Sequence, residues 1–287
     1  MPSLFEKLVD RLLGEKSEQR KTRVGLALGG GAVLGAAHIG VLKALEESDI
    51  KIEAITGTSI GAFIAILYAF GIPANEIEAQ VEKMGWLDVT NFKLSRFGLL
   101  SNEKLARTLH DMIGEVSFAD ANIPLAVVAT NIGSGKPLVL KEGDVALAAM
   151  ASTCVPAIFA PIEIDGELLV DGGLVENVPL SPLDELGANF KIGVDLNAKR
   201  QYEKPDDIIV VLMNALDIAI DNSTRLQTRE VDLLIKPKVF HFSRTDTDNV
   251  GHIVREGYQA TLSELKKHPI KKARSRSLPT KKSTRKA

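Results

Sequence analysis

Gly57-Thr58-Ser59-Ile60-Gly61 sets a serine between two glycines, after a strand-like run at 52–56 and before an apolar helix-like run at 59–70. In that setting Gly-x-Ser-x-Gly reads as a nucleophile elbow, a sharp strand-to-helix turn that exposes the hydroxyl above the positive end of a helix. Three fixed positions are a weak pattern alone. A helix N-cap serine flanked by two loop glycines has the same spelling. A second run, Leu28-Gly29-Gly30-Gly31-Ala32-Val33-Leu34-Gly35, follows a strand-like segment and precedes a helix-like one. Such a loop gathers backbone N–H groups at a helix N-terminus. It suits either a nucleotide pyrophosphate or the oxyanion of an acyl-transfer reaction. The dinucleotide reading fails in detail. Gly29, Gly31 and Gly35 spell G-x-G-x-x-x-G, and Thr56, not an acid, ends the second strand where a ribose would be held. A Walker-type Gly-Lys-Ser/Thr is also missing from this loop.

The third run is Val170-Asp171-Gly172-Gly173. Asp-Gly usually marks a turn. Here Asp165-Gly166 already turns the hairpin 162–170, so Asp171 falls at the end of its second arm, at a strand terminus. A serine nucleophile needs a proton acceptor. Five histidines are candidates for a Ser–His–Asp arrangement: His38, His110, His241, His252 and His268. None sits in a glycine-framed loop. The other arrangement is a dyad in which Asp171 bonds the Ser59 hydroxyl directly. An ordinary aspartate, with pKa ~3.9, is a weak base at neutral pH, but desolvation raises its basicity. On the residues alone both arrangements stay open.

The elements that must position these residues alternate. Strands are expected at 23–28, 52–56, 124–130, 137–141, 162–164, 167–170, 191–196 and 208–212. Helices are expected at 35–45, 59–70, 73–84, 101–113, 145–152, 214–228 and 250–267. Strand–helix alternation of this kind argues for a three-layer α/β/α domain on a largely parallel sheet. The stretch 85–100, with Trp86, Phe92 and Phe97, suits a lid or a satellite core equally.

Composition narrows the class. With 287 residues, 45% hydrophobic and 25% charged, the chain can build a large globular core. One cysteine, Cys154, excludes an intrachain disulfide and a cysteine-rich zinc site. No cofactor or metal is expected. No apolar run reaches ~18 residues, so no membrane span is expected. With no secretory start a cytoplasmic location is expected. Leu4, Phe5, Leu8, Val9, Leu12 and Leu13 fall at helical spacing and make an amphipathic helix of residues 2–14. It would either dock on its own domain or lie on a membrane surface. The net charge of −2 hides an asymmetry: residues 266–287 carry ten Lys or Arg and no acid, leaving 25 basic against 37 acidic residues elsewhere. The expected organisation is an N-terminal helix and linker at 1–21, a catalytic domain at 22–265 and a basic, disordered tail at 266–287. Helix and tail leave open a peripheral contact with anionic membrane. Specific nucleic-acid binding is not expected.

Taken in order, Gly29-Gly30-Gly31, Gly57-Thr58-Ser59-Ile60-Gly61 and Asp171-Gly172-Gly173 resemble the patatin-like phospholipases, most closely the small single-domain bacterial members. Supporting runs are 36–42, Gly98-Leu99-Leu100-Ser101, 151–159 and Asn177-Val178-Pro179. The resemblance is clear over 23–200 and weak over 201–265. It implies a three-layer fold and calcium-independent hydrolysis of lipid acyl esters by a Ser–Asp dyad. Ser59 would be the nucleophile and Asp171 the base, with the N–H groups of Gly30, Gly31 and Ala32 binding the oxyanion. Gly29, Gly35, Gly57, Gly61, Gly172 and Gly173 complete the motifs. Many members carry an arginine immediately before the last glycine of the first motif, and Leu34 stands there in this chain. A lipid- or acyl-binding regulatory protein with little or no hydrolase activity is the non-enzyme reading.

Overall fold

The computed structural model describes residues 21–82, 91–92, 100–202, 204–245 and 247–270. The helix expected at 2–14, most of the stretch at 85–100 and the tail beyond 270 lie outside them. Arg23–Ile270 forms one compact unit. Its elements are β1 (Val24–Leu28), a 3-10 turn (Ala32–Gly35), α1 (Ala36–Glu47), β2 (Ile52–Thr58), α2 (Ile60–Ala69), α3 (Ala74–Val81), β3 (Asn91–Phe92), β4 (Leu100–Ser101), α4 (Glu103–Ile113), β5 (Leu125–Asn131), β6 (Lys136–Leu140), α5 (Val145–Ser152), β7 (Ile162–Ile164), β8 (Glu167–Asp171), α6 (Gly173–Glu176), α7 (Pro182–Glu185), β9 (Phe190–Val194), α8 (Ile208–Gln227), β10 (Leu233–Ile235) and α9 (Val250–Lys267).

The main sheet runs β10-β9-β1-β2-β5-β8-β7, with β6 also paired to β5. Strands β10 to β5 are parallel, and β6, β8 and β7 are antiparallel to their neighbours. The two faces differ in side-chain size. On one, Leu26, Leu28, Ile55 and Val127 join a core with Ile39, Leu42, Phe63, Leu67 and Ile253 of α1, α2 and α9. On the other, Ala27 and Ala54 meet Val178, Leu180 and Leu183. This thin face lets the 176–180 segment lie directly on the sheet, where Thr56 Oγ1 donates to Pro179 O (2.6 Å) and Thr58 Oγ1 to Glu176 O (2.9 Å). With elements on both faces the fold is the expected three-layer α/β/α arrangement.

The sheet also shows why the two motifs come together. One edge of β5 pairs with β6, and the other is shared end to end by β2 and β8. Thr58 pairs with Val128, and Asp171 with the next residue, Ala129. The last residue of β8 therefore lies just past the last residue of β2, where Ser59 begins the turn into α2.

One expected element is corrected. Residues 208–212 are not a strand but the opening turns of α8. Ile-Ile-Val-Val-Leu carries the composition of a buried strand. Asp207 instead caps a helix, its carboxylate accepting the Val210 N–H at 2.8 Å, and Ile208, Val211 and Leu212 face out from it. Strand β10 was not foreseen, being only three residues long. Among the described residues no helix is long and apolar enough to cross a membrane.

Candidate active site

Ser59 occupies the corner between β2 and α2 with φ 55° and ψ −129°, a backbone conformation that L-residues rarely adopt. Strain of this kind persists only where the surroundings over-determine it. Here the Ser59 N–H donates to Ser152 Oγ at 2.8 Å, and Ser152 Oγ donates to Val128 O at 2.6 Å. The Ser59 carbonyl accepts from Ala62 N–H at 2.9 Å. Ser59 is the N-cap residue of α2, but its side chain makes no capping bond to that helix. Gly57 lies in β2, and Gly61 allows the close approach of α2 to β1. A Cβ on Gly61 would stand 2.2 Å from Leu28 O, a contact that backbone atoms cannot relieve.

Ser59 and Asp171 open side by side onto one cavity, and the Ser59 hydroxyl favours the charged form of the Asp171 carboxyl. Asp171 is 8% exposed, and burial pushes its pKa up to about 6. The Ser59 hydroxyl, the Gly173 N–H at 2.7 Å on Oδ1 and the charge of Arg244 pull the other way. The backbone of Asp171 is pinned on both sides: its N–H donates to Cys154 O (2.9 Å), and its carbonyl accepts Thr130 Oγ1 (2.8 Å). Gly172 and Gly173 lead from it into α6.

The glycine loop faces this pair, and neighbouring groups hold it from outside. Gly29 N–H donates to Val194 O (3.2 Å), Gly30 N–H to Asn177 O (3.3 Å), and Val33 N–H to Arg244 O (3.2 Å). The Gly29 carbonyl accepts His38 Nε2 at 2.7 Å, and the Gly30 carbonyl accepts Asn197 Nδ2 at 3.2 Å. Ala32 sits at φ 53°. Among the described residues no acceptor engages the N–H of Gly31 or Ala32. Of the three expected donors, then, Gly30 is already bonded and the other two are unengaged. Gly35 packs on Ile60, and Leu34 is buried in the core.

The histidines are placed elsewhere. His38 is fully buried and bound to the Gly29 carbonyl, which can only accept, so Nε2 carries the proton. Burial pushes its pKa down to about 4, outweighing that bond. It stays neutral and braces the loop. No histidine lines the cavity of about 190 Å³ onto which Ser59, Asp171, Gly31 and Ala32 open. Its walls include Phe63, Ile64, Leu105, Val155, Phe159 and Leu216, an apolar lining suited to a hydrocarbon chain. Its polar part is a charged group: Arg200 pairs with Asp217 and Asp221 (3.3 Å), and Arg244 pairs with Asp217 (3.1 Å) and donates to Asn197 Oδ1 (3.2 Å).

Several of these residues carry no local signal in the sequence. Ser152 and Asn177 lie in the supporting runs without an assigned role. His38 reads as helix packing. Arg200, Asn197 and Arg244 fall outside any motif, and only the fold brings them to the loop.

Comparison with known proteins agrees with the geometry. The family model described as patatin-like phospholipase matches residues 26–184, more than half the chain. An uncharacterized NTE family protein of Mycobacterium tuberculosis is 35% identical over 178 residues, 61% of this chain and 49% of that protein. The lysophospholipase nte1 of Aspergillus fumigatus is 31% identical over 200 residues, 68% of this chain but 13% of that protein. The chain thus spans about half the length of the mycobacterial relative and a small part of the fungal one. Among solved structures, VipD of Legionella pneumophila superposes with a TM-score of 0.53 at 14% identity, covering 86% of this chain and 67% of that one. ExoU of Pseudomonas aeruginosa, in its complex with SpcU, gives 0.50 at 16% identity, covering 86% and 52%. The chain belongs to the patatin-like phospholipase family.

Proposed function

We propose that this chain is a serine acyl hydrolase that cleaves carboxylic esters of lipids, in the manner of a phospholipase A, lysophospholipase or esterase. The observation that carries the reading is a strained serine beside a buried carboxyl whose pKa is raised to about 6, both opening onto one apolar cavity. Ser59 attacks the ester carbonyl while Asp171 takes the hydroxyl proton. The oxyanion forms against the N–H groups of Gly31 and Ala32, each such donor being worth ~3–4 kcal/mol in the transition state. Gly30 contributes by holding the loop through Asn177. Asp171 then returns its proton to the leaving alcohol. In the second half it activates the water that frees the acyl group from Ser59. Family membership and the lysophospholipase relative support the lipid ester as substrate class.

A fluorophosphonate probe tests this directly. It should modify Ser59, located by peptide mass spectrometry, and the Ser59→Ala chain should take up none. An unlabelled Ser59 after long exposure of the folded chain would favour the acyl-binding reading.

Arg244 brings a cation to the wall of the cavity. Its backbone carbonyl anchors Val33, and its charge lowers the pKa of Asp171. Arg244→Met keeps the anchor and removes the charge. The acid limb of kcat/KM should therefore move to higher pH, read from a pH–rate profile on a soluble ester. An unmoved limb would remove Arg244 from the electrostatics of the site.

A further inference from the structure

Helix α8 departs from the usual pattern of a surface helix, which turns its apolar side inward. Ile208, Val211, Leu212, Ala215, Ile218 and Ala219 follow one another at helical spacing and all face out, with exposed Leu226 beyond Asn222. Ile208 is 68% exposed, Leu212 52% and Leu226 60%. The carboxylates turn inward instead, Asp217 and Asp221 both to Arg200. The inner face also carries Met213, Leu216 and Ile220, which line the cavity holding Ser59. One helix therefore presents apolar side chains to the active-site cavity and to the outside. A contiguous exposed apolar stripe marks a surface that is covered in use.

We propose that the outer face of α8 docks on a lipid surface and seats the cavity against it. The choice of a membrane rests on the lipid-ester reading above, and two features of the stripe support it. The first is size. The unbroken part of the stripe, residues 208–219, is roughly 18 Å long at 1.5 Å rise, and at a width of roughly 10 Å it offers about 200 Å². A stable interface with a second copy buries about 800 Å² on each partner, whereas an amphipathic helix inserts into a bilayer along just such a stripe. The second is continuity. A lipid leaving the bilayer would meet the same helix again as a wall of the cavity, so its acyl chain need not cross open water. Tyr202, 42% exposed and bonded to Asp221 at 2.8 Å, adds an amphipathic ring beside the helix, a side chain suited to the headgroup level.

Charge around the stripe is nearly balanced. Exposed Lys199, Lys204, Arg225 and Arg229 stand against Asp206, Asp207 and Glu230. Docking should therefore depend on apolar insertion, work on zwitterionic lipid and respond weakly to salt. A basic tail acting alone would instead require anionic lipid and low salt.

The test uses the full chain carrying Ser59→Ala, so that vesicles stay intact whether or not the chain is a hydrolase. This protein should co-float with phosphatidylcholine vesicles at about 0.1 and about 0.5 M salt. Adding Ile208→Ser, Leu212→Gln and Ile218→Gln should lower the bound fraction at least about tenfold. With Ser59 restored, the triple variant should keep turnover of a dissolved short-chain ester within about twofold, since none of the three lines the cavity. A Leu212→Cys chain labelled there with an environment-sensitive dye, Cys154 being buried, should shift its emission to the blue on adding the same vesicles. Unchanged flotation of the triple variant, or no emission shift, overturns the proposal. So does a dimer in sedimentation velocity that the triple substitution dissociates, which would assign the face to a second copy. Binding that appears only when residues 2–14 are deleted would assign it to that segment instead.

Discussion

Asp171→Asn is expected to lower kcat/KM on a soluble ester by about 10⁴-fold, and at neutral pH to make the protein more stable. Both effects come from one group. Asparagine keeps the shape of the carboxyl and can still accept the Gly173 N–H, but it cannot take the Ser59 proton. The stability effect follows from linkage. The native pKa of Asp171 is about 6, against ~3.9 for an unfolded aspartate. Between these values the native state holds more protons than the unfolded one, so stability falls as pH rises from about 4 to about 6 and is level above. A gap of about two units corresponds to about 3 kcal/mol, which the wild type lacks above its native pKa and the asparagine variant does not lose. Thermal or urea melts of the two proteins should diverge as pH rises and converge below about pH 4. Parallel curves would mean that Asp171 ionises without penalty. The same pKa places the acid limb of kcat/KM near pH 6 in the wild type.

Ser59→Ala should remove about 10⁵-fold or more of turnover, with residual rate only from the oxyanion donors and the cavity. The fold should survive. The Ser59 backbone is held through its own N–H and carbonyl, to Ser152 and Ala62, and alanine retains both bonds. Its φ of 55° stays strained with alanine. Glycine relieves that strain, so Ser59→Gly should melt higher than Ser59→Ala by about 1 kcal/mol in stability. Equal melting temperatures would show that the elbow carries no strain. Comparable turnover of Ser59→Ala and wild type would remove Ser59 from the chemistry.

Local signals carried much of the layout. Alternating apolar runs marked most strands and helices, because periodicity is a property of the segment itself. The Asp165-Gly166 turn was equally readable. Both residues adopt positive φ, 52° and 79°, as a two-residue hairpin loop requires. The run 208–212 misled because its β-branched composition fits a buried strand, whereas Ile208, Val211 and Leu212 stand on the outer face of a helix. Its outward-facing residues have meaning only once Asp217 and Asp221 are seen to turn inward.

What the sequence by itself determined was a serine on an elbow, a glycine loop able to offer N–H groups, and an aspartate at a strand end. Each follows from bond geometry within a few residues. Which titratable side chain stands beside the serine was decided by tertiary structure. β2 and β8 share one edge of β5 end to end, which brings Asp171 to Ser59 and leaves all five histidines off the cavity. The fold also chose among the loop amides, since Asn177 occupies Gly30 while Gly31 and Ala32 stay unengaged. Burial, which no sequence pattern states, raised the pKa of the aspartate toward the basicity that the proposed chemistry needs. A pKa reports the dielectric and the charges around a group, and those are supplied by residues far away in the chain.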